Sequence, residues 1–416
     1  MKCGLLGRKL SHSYSPIIHQ AFGGYSYTLF EVESPELAAF LERGDFDGIN
    51  VTIPYKQDVI PFCRQLSAAA EKIGSVNALV RLPGGGFFGD NTDAAGFKKL
   101  IDESGLSVRG KKVVVLGKGG SSLTVRYVLN ELGAGEVVTV SRHDNNADFL
   151  SRHRDAAILV NSTPVGQYPD TEAAPVSLEH FPALEGVLDL IYNPARTRLL
   201  MDAGQRGLSC AGGLTMLVGQ AAAVWELFTS GTMEAGKEQE VLRMLRRRME
   251  NIVLVGMPGC GKSTIGHLLS EKLGKRFVDT DAEVAQAAGC SIPEIFAEEG
   301  ESGFRLREAE VIKKFGRESG LILATGGGCV TREENYRHLR QNGSIVFIDR
   351  PLDELAREGR PLSQGDLEAM YAQRLPLYRR FAGCMVFNGG GIAALDAAQI
   401  LIRILAQGEL DETAGH

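Results

Sequence analysis

Three observations predict that this 416-residue chain is α/β throughout. From Leu5 to about Gly89, short apolar runs alternate with helical patterns, which marks a layered α/β unit. The β-branched run Lys111–Leu116 leads into glycines and then into Leu123–Leu132 at helical spacing, as in a doubly wound parallel sheet. A similar arrangement opens at Ile252–Val255, runs through Gly256-Met257-Pro258-Gly259-Cys260-Gly261-Lys262-Ser263, and continues as the apolar-periodic stretch Thr264–Leu273. At roughly 150 residues per domain, the length suggests about three domains.

In the first segment Tyr27–Val32, Gly48–Ile53 and Asn77–Arg81 read as strands, and Pro35–Glu42 and Asp58–Leu66 as helices. Lys111–Leu116, Val137–Ser141, Ala157–Asn161 and Gly186–Leu190 form the parallel series, which the amphipathic helix Leu214–Phe228 closes. Thr229–Asn251 holds Gly, Ser and Thr and then the charged stretch Lys237–Glu250, read as a linker with a leading helix. Strands at Ile252–Val255, Ile322–Ala324 and Ile345–Ile348 organise the last unit, and the polar tail Gln407–His416 is expected to be disordered. The expected division is residues 1–95 with 213–230 returning, 96–212, a linker helix at 231–250, and 251–407.

Hydrophobic content of 44% and charged content of 23% fit an ordinary soluble globular protein. A formal net charge of −6 gives no electrostatic footprint for nucleic acid or an anionic membrane. The Arg246-Arg247-Arg248 cluster reads as the solvated face of a helix. Seven irregularly spaced cysteines without C-x-x-C spacing predict reduced thiols and a cytoplasmic setting. No apolar run approaches the ~18 residues of a membrane span, and the N-terminus has no apolar leader pattern.

The strand–glycine loop–helix context around Gly259, Cys260, Gly261, Lys262, Ser263 and Thr264 lets backbone N–H groups and a helix N-terminus cradle a polyphosphate. Lys262 would reach the β/γ-phosphates of ATP, and the Ser263 hydroxyl would sit on Mg²⁺. The loop specifies a nucleotide but not an acceptor, so an ATPase or another small-molecule kinase also fits it alone. Asp279 and Asp281 stand at i, i+2, where a strand end would point both the same way. One carboxylate can organise Mg²⁺ water while the other meets an acceptor hydroxyl.

Further motifs follow: Gly303-Phe304-Arg305-Leu306-Arg307-Glu308, Ala324-Thr325-Gly326-Gly327-Gly328, Gly359-Arg360-Pro361-Leu362 and Gln373-Arg374-Leu375-Pro376-Leu377-Tyr378. With the phosphate loop, this set resembles shikimate kinase over residues 252–405. The resemblance implies a P-loop, NMP-kinase-like α/β domain that transfers the ATP γ-phosphoryl to the 3-hydroxyl of shikimate. It implies that Asp279 supports Mg²⁺ and that Asp281 binds the acceptor hydroxyl and acts as base. It also implies that Arg305 and Arg374 grip the carboxylate, which planar guanidinium groups do bidentately. Gly326, Gly327 and Gly328 would let backbone approach the ring, and Arg360 would come from a lid to neutralise the transferring phosphoryl. Arg307 reads as a helix-surface ion pair. The lid is clipped between Asp349 and Arg360, which predicts weakened nucleotide affinity.

The first half carries its own glycine turn, Leu116-Gly117-Lys118-Gly119-Gly120-Ser121-Ser122, without the third glycine of the usual dinucleotide fingerprint. After the second strand comes Val140-Ser141-Arg142-His143. A cation there suits a 2′-phosphate, so Arg142 favours NADP over NAD. Around this unit lie Gly7…His12-Ser13-Tyr14-Ser15-Pro16, Gly48-Ile49-Asn50-Val51-Thr52-Ile53-Pro54-Tyr55-Lys56, Gly74-Ser75-Val76-Asn77 and Gly89-Asp90-Asn91-Thr92-Asp93. Val160-Asn161-Ser162-Thr163-Pro164, Asp189-Leu190-Ile191-Tyr192-Asn193-Pro194 and Gly212-Gly213-Leu214-Thr215-Met216-Leu217-Val218-Gly219-Gln220 complete the set.

In this order the motifs resemble shikimate dehydrogenase over about residues 3–228. Reducing a ketone requires a hydride on carbon and a proton for the developing alkoxide. The resemblance implies Lys56 and Asp93 as the catalytic pair and Ser13, Ser15, Thr52, Asn77 and Gln220 as substrate contacts. It places Tyr192, Gly213 and Met216 around substrate and nicotinamide, with Gly117, Gly119, Gly120, Ser121 and Arg142 on NADP(H). Lys118 and Ser121 stand where the family usually has alanines, and the segments 22–46 and 142–157 are short for it.

Together the two resemblances imply a bifunctional enzyme that reduces 3-dehydroshikimate with NADPH and then phosphorylates the shikimate formed. Two alternatives are that one half is a degenerate binding or regulatory module, or that the first half uses quinate or NAD. Retention of Lys56, Asp93, Lys262, Asp281, Arg305 and Arg374 argues against a mere binder.

Overall fold

The computed structural model describes all residues except 11–12, 145–146, 356–365, 390–393 and 408–416. The chain forms two compact units, one of Met1–Gln167, Glu172–Tyr192 and Asp202–Leu245, the other of Tyr168–Thr171, Asn193–Met201 and the residues from Arg246 onward.

The first unit contains two sheets. One is built from β1 (Lys2–Gly7), β2 (Ser26–Glu31), β3 (Gly48–Val51), β4 (Cys63–Leu66), β5 (Ala78–Arg81) and β6 (Phe87–Asp90), in the order β2-β1-β3-β5-β6-β4. β1 runs parallel to β2 and β3, whereas β5 is antiparallel to β3 and β6. Its core gathers Leu6, Ile49, Val51, Tyr55 and Leu79, with Phe46 stacked between Phe40 and Phe87.

The helix expected at Asp58–Leu66 is corrected here. Ile60–Phe62 forms a single 3₁₀ turn, and Cys63–Leu66 is the edge strand β4, parallel to β6. Pro61 cannot donate an N–H to a helical ladder. Ser67 starts the helix instead, its Oγ accepting the Ala70 N–H at 3.0 Å, and the helix Ala68–Ile73 ends at Gly74.

The other sheet is wholly parallel: β7 (Lys112–Leu116), β8 (Glu136–Val140), β9 (Ile158–Asn161), β10 (Gly186–Asp189) and β11 (Ser209–Gly212), ordered β11-β10-β9-β7-β8. Val113, Val114 and Val115 are wholly buried, as expected of a strand covered on both faces. β7 lies between β8 and β9, so the glycine turn after it opens at the point where the strand order reverses.

The helix Leu214–Thr229 crosses the helix Asp93–Ser104 closely because Gly96 has no side chain: a Cβ there would overlap the Met216 carbonyl. The charged helix Lys237–Met249 is anchored to the first unit, with Val241 and Leu245 buried among Ile18, Phe22, Val218 and Ala221.

The second unit holds β12 (Asn251–Val255), β13 (Arg276–Asp279), β14 (Leu321–Ala324), β15 (Gly343–Asp349) and β16 (Cys384–Phe387), ordered β13-β14-β12-β15-β16 and all parallel. Ile252, Val253, Leu254 and Val255 are buried at its centre, each worth about 1.5–3 kcal/mol over exposure. The phosphate loop therefore starts from the most deeply covered strand of its sheet. The last helix ends at Gln407, and the rest of the polar tail lies outside the described residues.

Candidate active sites

In the first unit, β3 ends at Val51 and the chain turns, with Thr52 N–H on the Leu6 carbonyl and Tyr55 N–H on the Thr52 carbonyl. Tyr55 is wholly buried, its hydroxyl on the Val32 carbonyl, and it anchors the turn that presents Lys56. The Lys56 carbonyl accepts the Val76 N–H at 2.7 Å, which ties this turn to the strand entry at Asn77.

Lys56 Nζ lies 2.6 Å from Asp93 Oδ2, with 16% and 11% of the two side chains exposed. Asn77 Nδ2 donates to Asp93 Oδ1 at 2.9 Å and to Thr92 Oγ1 at 3.0 Å, while its Oδ1 accepts the Thr92 N–H at 2.7 Å. Asp93 begins its helix, where the dipole favours a carboxylate. The Lys56 amine is thus held in place by a carboxylate that Asn77 braces in turn.

The other residues expected to contact substrate lie on several elements of the same unit. Ser13 Oγ accepts the Ser15 N–H, and Tyr14 meets Tyr192 edge-on at 6.0 Å. Tyr27 donates to Asn50 at 2.8 Å, and Ser15 shares a side-chain hydrogen bond with the same tyrosine, which links Ser15 to the strand leading to Thr52. Gln220 lies at the Gly96 crossing, one helical turn from Asp93, with Nε2 on the Leu217 carbonyl.

At the glycine turn, Gly117 N–H bonds the Val140 carbonyl at 2.8 Å. Gly119 and Gly120 are exposed, and a Cβ on either would meet nothing within 4 Å. The helix Gly120–Glu131 begins there with Ser121 in its first turn, so its N-terminal amides can receive a pyrophosphate. Gly213 packs on the Leu190 backbone and Met216 is buried behind it. Arg142 is exposed beyond β8. Asp144, which belongs to no motif, shares this corner: Lys118 lies 3.1 Å from its Oδ2. The Ser141 hydroxyl, ahead of Lys118, holds that carboxyl down at about 2.

In the second unit, Lys262 is buried and its Nζ donates to the Gly256 and Met257 carbonyls at 2.9 Å each. Gly261 sits at φ 97°, a conformation that favours glycine, and opens the helix Lys262–Leu273. Asn388 Nδ2 braces the loop through the Cys260 carbonyl at 2.7 Å. Ser263 Oγ donates to Asp279 Oδ2 at 2.7 Å.

The geometry expected for Asp279 and Asp281 is corrected. Only Asp279 ends the strand, and Asp281 lies in the first turn of the helix Thr280–Ala288. Asp279 Oδ1 caps that helix, accepting N–H bonds from Asp281 at 3.0 Å and Ala282 at 3.4 Å. Capping stops the extended backbone after Asp279, so the strand rule does not apply.

Arg305 is buried, with Nη1 2.7 Å from Glu308 and Nη2 3.1 Å from Glu301. Burial disfavours its charge, but the Glu308 and Glu301 carboxylates outweigh this and hold the guanidinium above its ordinary value. A Cβ on Gly326 would overlap Glu308 Oε1 and crowd Asp281 Oδ1, and one on Gly328 would overlap the Arg305 guanidinium. These glycines therefore admit the site's own charged side chains. Tyr378 donates to the Gly327 carbonyl, and Arg374, buried one turn earlier, has no bond to Nη1 among the described residues. Arg307 is half-buried and paired with Glu299. Glu308 was quoted in a motif without a role, although its i, i+3 spacing from Arg305 on a helix signals contact. Asn388 carried no comparable signal. Arg360 and the clipped lid lie mostly outside the described residues.

Comparison with known proteins finds similar families for both halves of the chain. The Shikimate dehydrogenase (NADP(+)) of Clostridium beijerinckii is 36% identical over 245 residues, spanning 54% of this chain and 90% of that protein. The profile of the shikimate dehydrogenase substrate binding domain matches residues 5–79, and that of shikimate kinase matches 258–405. The chain belongs to the shikimate dehydrogenase family, and its second half is a shikimate kinase domain.

Among solved structures, a chorismate mutase/shikimate 5-dehydrogenase fusion protein from Clostridium acetobutylicum aligns with TM-score 0.56 and 32% identity, covering 59% of this chain and 96% of that one. The shikimate 5-dehydrogenase of Thermus thermophilus, in complex with NADP(H) and shikimate, aligns with TM-score 0.53 and 32% identity, covering 59% and 99%. All seven cysteines are free, and among the described residues no helix is long and apolar enough to cross a membrane.

Proposed function

We infer that this chain reduces 3-dehydroshikimate to shikimate with NADPH in its first half and phosphorylates shikimate at the 3-hydroxyl with ATP in its second. The observation that carries this reading is that each half keeps its charged reaction groups positioned, Lys56 on Asp93 and Lys262 in the phosphate loop. Seven free thiols suit a cytoplasmic setting. Residues 1–95 with 213–230 would bind substrate, 96–212 the dinucleotide, and 251–407 ATP and shikimate, with 231–250 connecting them.

NADPH, when bound, supplies the hydride. Lys56 donates a proton to the developing alkoxide oxygen, and Asp93 and Asn77 keep the amine aimed and charged. Ser13, Ser15, Thr52, Tyr192 and Gln220 offer hydroxyls and an amide to the hydroxyls and carboxylate of the ring. Gly119, Gly120 and Ser121 would hold the pyrophosphate on a turn shaped by Gly117, and Gly213 and Met216 would border the nicotinamide.

In the second half Lys262 leaves the Gly256 and Met257 carbonyls for the β/γ-phosphates, while Gly259, Cys260, Gly261 and Thr264 complete the cradle. Asp281 accepts the acceptor hydroxyl's proton. Arg305 and Arg374 bind the ring carboxylate, and Arg360 answers the charge on the phosphoryl. The Ser263 hydroxyl and Asp279 carboxylate are hard oxygen donors suited to Mg²⁺, which when bound neutralises phosphate charge.

Incubating the full chain with 3-dehydroshikimate, NADPH, ATP and Mg²⁺ tests the reading. Chromatography should show shikimate 3-phosphate, with shikimate accumulating when ATP is omitted. Absence of NADPH oxidation, or shikimate persisting beside ATP, would overturn it.

A further inference from the structure

The corner between the glycine turn and the end of β8 holds a charge arrangement that the dehydrogenase reading does not use. In a parallel sheet of this kind, the second strand's end lies beside the adenosine ribose of a dinucleotide. Here Ser141–Asp144 is a reverse turn closed by the Asp144 N–H on the Ser141 carbonyl at 3.1 Å. The turn folds the Asp144 carboxylate back onto the strand end, where Oδ2 accepts the Ser141 N–H at 3.1 Å and the Ser141 hydroxyl at 2.5 Å. Lys118 reaches the same oxygen from the glycine turn at 3.1 Å, and Arg142 is an exposed residue of the Ser141–Asp144 turn.

A carboxylate at this position accepts a hydrogen bond from a ribose 2′-hydroxyl and repels a 2′-phosphate, whereas a cation does the reverse. We propose that Lys118 and Asp144 form a switchable pair that sets cofactor choice, so that Arg142 does not decide it alone. With NADP(H), Lys118 leaves Asp144 for the 2′-phosphate. With NAD(H), Lys118 stays on Asp144, which accepts the 2′-hydroxyl. Anchored by Ser141, Asp144 cannot withdraw, so Lys118 must offset it for the phosphate to be admitted. Both residues belong to this chain's own corner, and the proposal rests on reading the first unit as a dinucleotide-dependent dehydrogenase.

The test titrates NADP⁺ and NAD⁺ calorimetrically into the full parent chain, D144N, K118M and the double variant, and follows the ratio of the two dissociation constants. D144N should shift the preference about three- to tenfold toward NADP⁺, and K118M by a similar factor toward NAD⁺, as an exposed charge pair allows. D144N should shift it further in the K118M background, where Lys118 no longer offsets the carboxylate. A ratio within twofold of the parent in both single variants overturns the proposal. Reduction of 3-dehydroshikimate, assayed on the same samples, separates the two ideas. A shifted ratio in a chain that reduces no 3-dehydroshikimate sinks the functional reading and leaves the pair standing. An unmoved ratio in an active enzyme sinks only the pair, and binding of neither dinucleotide sinks both.

Discussion

Asn77 donates a hydrogen bond to Asp93 at 2.9 Å, so the carboxylate facing Lys56 has both oxygens engaged. The amine is therefore the less constrained partner, as its proposed role of proton donor requires. Lys56→Met should lower kcat for 3-dehydroshikimate reduction by roughly 10²–10⁴-fold, the usual worth of a placed acid. NADPH oxidation measures it, and a loss under threefold would remove Lys56 from the chemistry.

Glu308 holds the buried Arg305 guanidinium at 2.7 Å, and Arg305 is the proposed grip on the shikimate carboxylate. Glu308→Gln should raise the KM for shikimate about five- to thirtyfold, the effect of weakening one charged hydrogen bond. The KM for ATP should stay within twofold. Equal changes in both constants would show a general collapse of the unit.

Gly326 has Glu308 and Asp281 where its Cβ would stand. In Gly326→Ala those carboxylates must move, costing about 1–3 kcal/mol of stability in the second unit. Phosphorylation of shikimate should fall at least tenfold, while dehydrogenase turnover is unchanged. Unaltered kinase kinetics would mean the loop yields freely.

His19 is buried, with no bond to Nε2 among the described residues, stacked on Tyr27 at 4.1 Å and bonded to Tyr25 through Nδ1 at 2.7 Å. Burial lowers its pKa from 6.5 to about 3. The unfolded chain therefore takes up a proton below pH 6.5 that the folded chain refuses. Its contribution is complete above pH 6.5 and declines toward pH 3, by up to about 1.4 kcal/mol per pH unit. His19→Phe should flatten the acid limb of first-unit stability, read by near-ultraviolet circular dichroism between pH 7 and 4. An unchanged slope would place the sensitivity elsewhere.

The sequence made the sheets legible because buried parallel strands are continuous apolar runs, as at Val113–Val115 and Ile252–Val255. Lys56 and Asp93 stand in two separate motifs; the family resemblance pairs them, and the fold brings them to 2.6 Å. Asp58–Leu66 misled because its apolar spacing suits a helix, while Pro61 and the Ser67 cap decide otherwise. Asp281 misled for a similar local reason: Asp279 turns the chain into a helix one residue early. Contacts made by folding alone, such as Asn388 on Cys260 and Asp144 on Lys118, lie 128 and 26 residues apart and leave no periodic trace.

Two separately armed sites in one chain should fail separately. The most direct measurement gives Lys56→Ala and Lys262→Ala each 3-dehydroshikimate, NADPH and ATP, then shikimate and ATP alone. Lys56→Ala should leave 3-dehydroshikimate untouched yet phosphorylate shikimate at the parent rate. Lys262→Ala should oxidise NADPH normally and stop at shikimate. If either substitution abolished both reactions in a folded chain, or neither abolished its own, the two-site account would be contradicted.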